Sequence, residues 1–211
     1  MTMTATAQDR PDRRGGPIFF ALIATAIAIT AMIALAVTPD LVAGVRLIIR
    51  ITARISLPLF LAAFSASALV RIWPSGTTQW LLVNRRWLGL SFAWSHLVHL
   101  LAIFALVRSD NALFWTLTNP VSLTGGTITY LFIAAMAATS FNGAVRALGP
   151  QRWSLLHRTG LWAVWLVFLI SNAKRIPISG WYAVPCLLLI AAVALRVKAS
   201  RKLNRRPAQA A

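Results

Sequence analysis

Six long apolar segments constrain the fold of this chain more than any other feature of its sequence. A helix needs about 20 mostly apolar residues to cross the hydrocarbon core of a bilayer. Segments of this kind cover residues 18–37, 48–72, 87–107, 127–148, 155–172 and 181–197. About a quarter of the residues in a soluble domain are charged, whereas the charged fraction here is 12%. The sequence therefore predicts an all-α protein, a bundle of six transmembrane helices in a lipid bilayer.

The basic residues between these segments predict how the bundle is oriented. The 21 Lys and Arg residues outnumber the 4 Asp and Glu residues, and the formal net charge is +17. In an alternating topology most of the cations fall on one side of the bilayer. The few on the other side are Arg46, Arg50, Arg54, Arg108, Lys174 and Arg175. Because cytoplasmic loops carry an excess of Lys and Arg, we expect both termini to be cytoplasmic, in the bacterial inner (cell) membrane.

This topology divides the chain into three parts. Residues 1–17 form a polar cytoplasmic arm, residues 18–198 the transmembrane domain, and residues 199–211 a basic cytoplasmic tail. In a soluble protein the high positive charge would suggest a nucleic-acid partner. Here the cations occur in short clusters between apolar segments, as is usual in membrane proteins, so we expect no nucleic-acid partner.

The scarcity of acids and cysteines excludes several kinds of chemistry. The acids are Asp9, Asp12, Asp40 and Asp110, and all of them fall outside the apolar segments. No carboxylate pair is therefore available for a hydrolase inside the membrane, and no intramembrane acid can relay protons. Cys186 is the one cysteine, which rules out an intrachain disulfide and a CxxCH site for covalent haem attachment.

The three histidines, His96, His99 and His157, all lie within apolar segments. Histidine inside a membrane helix is costly and suggests a functional site, although a packing histidine that bonds to a neighbouring helix is the alternative. His96 and His99 are three residues apart and share a helix face. Imidazoles from facing helices can hold the iron of a b-type haem. A zinc site is less well supported, because no acid accompanies the three imidazoles.

Two motif blocks resemble the ferric reductase-like transmembrane domain family over about residues 50–175. The first block is NRRWLGL at residues 84–90, followed by His99, and it resembles the opening of the family's third helix. The second block is TSF at residues 139–141, then LG at 148–149, Trp153 and LHR at 156–158. The family includes ferric reductases, NADPH oxidases and the haem-binding membrane subunit of a periplasmic methionine sulfoxide reductase system.

The resemblance implies that electrons cross the membrane on b haems held between the third and fifth helices. Carried over residue by residue, it implies haem contacts at His99 and His157, with His96 and Arg85 close by, and haem iron bound through His99 or His157. One position departs from the family pattern. A second histidine is expected on the fifth helix thirteen residues after His157, and the chain has Ile170 there.

The helical register limits how the three histidines can combine. The third and fifth helices run in the same direction, and Arg85 and His157 open them at a common level. His99 lies about 21 Å and His96 about 16 Å beyond Arg85, at about 1.5 Å per residue. Two axial ligands of one iron must approach it from opposite sides. We therefore expect a cytoplasmic site with His157 and Arg85, and an outer site with His99, instead of one site with two histidines.

Arg46, Arg50 and Arg54 form a further pattern at the outer start of the second helix. Their spacing of four places them in one stripe. One interpretation is that they extend to the outer headgroups. The other is that they contact haem propionates, a quinone or an anionic lipid.

These observations lead to two functional hypotheses. In the first, the chain is a membrane b-haem protein, a transmembrane oxidoreductase or electron-transfer subunit, that passes electrons from quinone or a redox partner protein. In the second, it keeps the fold without redox activity and serves as a haem-free or haem-poor scaffold or partner subunit. A solute transporter is disfavoured, because the sequence shows no repeat and no intramembrane acid.

Overall fold

The computed structural model describes the backbone of residues 15–205 and the side chains of residues 15–202. Most of the predicted polar arm (residues 1–14) and the end of the predicted basic tail (residues 206–211) lie outside the described residues. The described part is helical along almost its whole length and contains no strand. The prediction of an all-α protein is therefore confirmed.

The described residues form nine α-helices and a short 3-10 helix (Gly180–Tyr182), and six of the α-helices are long and apolar enough to cross a membrane. In chain order they are α1 (Gly15–Val37), α2 (Leu41–Ile72), α3 (Gly76–Val83), α4 (Arg85–Ser109), α5 (Asn111–Leu117), α6 (Pro120–Ala138), α7 (Asn142–Leu148), α8 (Pro150–Ala173) and α9 (Ala183–Arg205). The six long helices are α1, α2, α4, α6, α8 and α9, which confirms the predicted number of transmembrane helices.

Polar residues in the connections determine where several helices begin. Asp40 caps α2 by accepting from the Ala43 N–H, and Asp110 caps α5 by accepting from the Leu113 N–H. Ser75 caps α3 in the same way. A side chain at this position satisfies one of the N–H groups that have no partner within the helix. Such caps determine where the short helices α3 and α5 begin. The length of the apolar segments alone did not indicate these two helices.

The fourth transmembrane helix differs from the predicted range of 127–148. It begins earlier, at Pro120, because Asn119 accepts from the Ser122 N–H and proline fits the first helical position. It ends at Ala138, where the hydroxyls of Thr139 and Ser140 donate to carbonyls of the preceding turn. Those bonds compete with continued helix, and residues 142–148 form the separate helix α7.

The helix α2 is the centre of the bundle and packs against α1, α3, α4 and α9. Its aromatic residues Phe60 and Phe64 are buried and contribute to a core with Phe92 of α4, Val164 of α8 and Leu189 of α9. The helix also contains Pro58, and it remains continuous through that residue. The helices α6 and α8 pack against each other and contribute to the same core through Ile133 and Val164. The interface between α2 and α4 is the most extensive helix–helix contact among the described residues.

Candidate functional site

His99 lies on α4, and its ring is held by a hydroxyl from α2. The Nδ1 atom is 2.9 Å from Thr52 Oγ1, and that hydroxyl donates its own proton to the Ile48 carbonyl at 2.7 Å. Thr52 Oγ1 can therefore act only as an acceptor toward His99, so Nδ1 carries the proton. The second ring nitrogen, Nε2, then keeps its lone pair. A metal-binding histidine commonly has this arrangement, in which the other nitrogen donates to a protein acceptor.

The Thr52 hydroxyl belongs to a buried polar seam between α2 and α4. Thr52 is 3% exposed, and Ser56 and Ser95 are 0% exposed. Ser56 Oγ lies 2.7 Å and Ser95 Oγ 3.1 Å from the Thr52 carbonyl oxygen. Small hydroxyl residues let membrane helices approach closely and bond across the interface. Sequence reasoning missed these residues, although Ser95 and His99 on one helix and Thr52 and Ser56 on the other share the spacing of four.

His96 lies one turn before His99 on the same helix. The two ring centroids are 5.9 Å apart, and the His96 ring contacts Phe92 and Phe168 at 4.5 and 5.8 Å. Its Nδ1 is sealed inside the protein without a hydrogen-bond partner. The remaining nitrogen, Nε2, is therefore the one available to a ligand.

A cavity of about 300 Å³ lies beside His96, between α1, α4 and α6. Its lining is mostly aliphatic and aromatic, and it includes Trp94, His96 and Tyr130. The Nε1 atom of Trp94 also has no hydrogen-bond partner. Small-molecule sites are usually apolar pockets of at least about this size with a few polar groups.

His157 has a different environment, at the break between α6 and α7. Its Nε2 lies 3.0 Å from Thr139 Oγ1, which donates to the Ala135 carbonyl at 2.7 Å. The hydroxyl therefore accepts from His157 Nε2–H. Trp153 stacks on the imidazole with a centroid distance of 4.2 Å, and its Nε1 donates to the Thr139 carbonyl. The second motif block thus forms a compact cluster, in which Nε2 of His157 donates to Thr139 and Nδ1 keeps its lone pair.

The structure does not bring the three histidines together. The ring of His96 on α4 contacts Phe168 on α8. His96 lies as many residues after Arg85 along α4 as Phe168 lies after His157 along α8. Arg85 and His157 are therefore at one level, and His99 is about 21 Å from that level along the helix axis. Among the described residues, no group of three or more His, Cys, Asp or Glu side chains is placed to hold a metal ion.

The space between α4 and α8 is filled by aromatic rings. Phe60 lies 5.6 Å from Phe92 and 5.5 Å from Phe168, between ring centroids. Ile170, at the position where the family has a histidine, is 52% exposed on the outer surface of the bundle. The described residues therefore place no second imidazole opposite His99.

The arginines predicted to contribute to the site lie away from His99. Arg85 donates from Nε to the Ala63 carbonyl at 2.9 Å, at the other end of α4. Arg50 and Arg54 are exposed and lie two residues on either side of Thr52, which is about 200° around the helix. They face away from the Thr52–His99 contact, whereas contact with lipid headgroups fits their position. The assignment of Arg46, Arg50 and Arg54 to a ligand stays a prediction.

The fold defines a class: an all-helical, polytopic membrane protein, with a buried polar seam between α2 and α4 that includes a hydrogen-bonded histidine. Over 110 residues the chain is 37% identical to the protein-methionine-sulfoxide reductase haem-binding subunit MsrQ of Cronobacter sakazakii. The alignment covers 50% of this chain and 52% of that protein, so the chain matches about half the length of its curated relative. No protein-family model and no solved structure matches the chain.

Proposed function

We propose that this chain is a haem-binding membrane subunit that transfers electrons, with His99 Nε2 as an axial ligand of a b-type haem. The observation that carries the proposal is the hydrogen bond from His99 Nδ1 to Thr52, which leaves Nε2 unprotonated inside the bundle. The similarity to a protein named as a haem-binding subunit supports it. The bacterial inner membrane is the proposed location.

A haem bound at this position would supply one-electron chemistry, and the side chains around it would fix its surroundings. Thr52 orients the imidazole and increases its basicity as a ligand. Phe92 and Phe168 exclude water from the neighbouring space, and a low-polarity environment is one of the factors that set a haem reduction potential. The seam of Ser56 and Ser95 keeps Thr52 in place.

A quinol dissolved in the bilayer is the proposed electron donor, and a redox partner protein the proposed acceptor. The cavity between α1, α4 and α6 suits the ring of such a donor, because it is apolar and borders His96 and Tyr130. His96 Nε2 would accept a hydrogen bond from a quinol hydroxyl. The ring centroids of His96 and His99 are only 5.9 Å apart, so the donor would lie close to the proposed haem ligand.

A second candidate function is a scaffold or partner subunit without haem. Two observations favour it: Ile170 is directed outward, and phenylalanine rings fill the space where the family's haem would lie. In that case the Thr52–His99 bond would be a structural contact between helices.

The experiment that decides is haem quantification on the purified chain, together with a reduced-minus-oxidised absorption spectrum. We expect a b-type band in the wild type, its loss in H99A, and its retention in H157A, whose imidazole is covered by the stacked ring of Trp153. H96A should keep the haem but be reduced more slowly by a soluble quinol. Absence of the band from the wild type would overturn the haem proposal and favour the scaffold function instead. Loss in H157A with retention in H99A would show that the ligand is assigned to the wrong histidine.

A further inference from the structure

Two arginines from different helices meet on consecutive residues of α2. Arg85 of α4 donates from Nε to the Ala63 carbonyl at 2.9 Å. Arg196 of α9 donates from Nη1 to the Phe64 carbonyl at 2.7 Å. The Arg196 guanidinium also lies over the Phe64 ring, 4.4 Å from its centroid, and both arginines are half-buried. These contacts hold two positive charges close together against one helix.

Neither guanidinium has an acidic partner among the described residues. The described acids are Asp40 and Asp110, which cap α2 and α5 at the opposite end of the bundle. Each guanidinium carries five N–H donors, and one donor of each is used on α2. Burying a charge without a partner is unfavourable, so a bound anion would stabilise this pair of guanidinium groups.

Further cations surround the pair on the surface. Arg71 lies in the last turn of α2, and Lys202 of α9 donates from Nζ to the Arg71 carbonyl at 3.2 Å. Both side chains are exposed. We call the end of the bundle that carries Arg71, Arg85, Arg196 and Lys202 the basic end.

The arginine pair lies at a depth from which its side chains can reach the lipid headgroups. The helix α2 has 32 residues, which is about 48 Å at about 1.5 Å per residue. It exceeds the hydrocarbon core of about 30 Å by roughly 18 Å. Ala63 lies about 13 Å before the end of the helix at that rise. With the excess shared between both ends, the pair lies near the boundary between hydrocarbon and headgroups.

We propose that Arg85 and Arg196 bind the headgroup phosphate of an anionic phospholipid. Guanidinium groups match phosphate oxygens with paired hydrogen bonds, and basic pockets between transmembrane helices are suited to anionic lipid headgroups. The acyl chains would lie along α8, where Trp162 is 38% exposed and its ring centroid is 6.0 Å from the Arg196 guanidinium.

This lipid site is independent of the proposed haem. A haem on His99 would lie about 21 Å along α4 from Arg85, at about 1.5 Å per residue. Its propionates therefore belong to the other half of the bundle. The lipid phosphate would neutralise the arginine pair whether or not haem is bound.

The test is thermal unfolding of the full chain in a neutral detergent with added short-chain lipids. Phosphatidylglycerol should raise the unfolding midpoint, and phosphatidylcholine with the same chains should not. The R85Q/R196Q variant should bind phosphatidylglycerol roughly tenfold more weakly for each arginine removed, which is the effect of one charge-assisted hydrogen bond. Native mass spectrometry of the wild type should show one retained phosphatidylglycerol, which tests the site without a substitution.

Matched variants separate this site from general charge. R146Q/R152Q removes the same charge from exposed arginines on α7 and α8 and should keep the full shift. R85K/R196K should keep part of it if the glutamine variant does not fold. An equal shift with phosphatidylcholine, an unchanged shift in R85Q/R196Q, or a full shift with inorganic phosphate alone would overturn the proposal. The proposal would also be overturned if phosphatidylglycerol raised the unfolding midpoint of D9N/D12N but not that of the wild type. That result would identify the Asp9 and Asp12 carboxylates as the counter-ions of the arginine pair.

Discussion

At the scale of single residues, the Thr52 hydroxyl determines which nitrogen of His99 is free. Its proton is donated to the Ile48 carbonyl, so the oxygen accepts from His99 Nδ1. The T52V variant keeps the shape of the side chain and removes the acceptor. If His99 binds haem, we expect haem affinity to fall by about 10- to 100-fold, as is typical when such a supporting contact is lost. The haem-to-protein ratio and the reduction potential measure the effect.

The matched control for this change is T52S, which keeps a hydroxyl at the same position. It should restore haem affinity to near the wild-type value. A T52V protein that retains full haem with an unchanged potential would show that Thr52 does not support the ligand. If the wild type holds no haem, the proposed function fails before the role of Thr52 can be tested.

The sequence identified His99 but not its hydrogen-bond partner. Histidine in an apolar segment stands out because few polar residues occur there. Thr52 lies 47 positions away, and no local pattern indicates which residue of α2 faces His99. The cofactor role that the sequence indicated for His157 stays a prediction, and its packing against Thr139 and Trp153 was not predictable because it depends on the helix break after Ala138.

At the scale of helices, the boundary between α6 and α7 shows a limit of apolar length as a signal. Residues 127–148 are mostly apolar, so composition predicts one continuous helix. The break depends instead on hydroxyl groups that bond back to the Ala135 and Met136 carbonyls. A hydropathy average does not register such local competition for backbone groups.

The contact between α1 and α4 depends on a glycine. A side chain at Gly16 would place its Cβ 2.1 Å from Trp87 Cδ1 and 2.3 Å from Asn84 Oδ1. The G16A variant should therefore lose about 1–3 kcal/mol in the free energy of unfolding, as overpacked interfaces do. Equilibrium unfolding in mixed micelles, followed by tryptophan fluorescence, measures the loss.

Gly89 of α4 provides the matched control, because nothing lies within 4 Å of a Cβ at that position. The G89A variant should be stabilised by about 0.5–1 kcal/mol, the usual gain from alanine inside a helix. Equal effects of the two substitutions would show that α1 does not approach α4 closely.

At the scale of the whole molecule, the orientation in the membrane is a testable prediction. Six transmembrane helices place both termini on one side, and the excess of basic residues assigns that side to the cytoplasm. A fluorescent protein fused to the C-terminus should fluoresce, and alkaline phosphatase at the same position should be inactive. Alkaline phosphatase inserted after Ser179, between α8 and α9, should be active. The reverse pattern would invert the topology.

The number of transmembrane helices was predictable because a bilayer requires about 20 apolar residues for each crossing. The arrangement of the helices was not. Apolar residues surround α1 on all sides, and lipid is as apolar as the interior, so hydrophobicity does not indicate which face meets a neighbour. The central position of α2 depends on buried small and polar residues such as Ser56, Ser65 and Ala66, whose role is visible only once the helices are packed.

The separation of the acids from the basic end has an electrical consequence. Both described acids cap helices at one end of the bundle, and the other end carries cations without any described acid. Moving one elementary charge through a membrane potential of 100 mV requires about 2.3 kcal/mol of work. With the basic end in the cytoplasm, a potential that is negative inside attracts the cations and repels the acids. In this orientation the membrane potential therefore opposes inversion of the bundle. The work needed for inversion increases with every cation at the basic end.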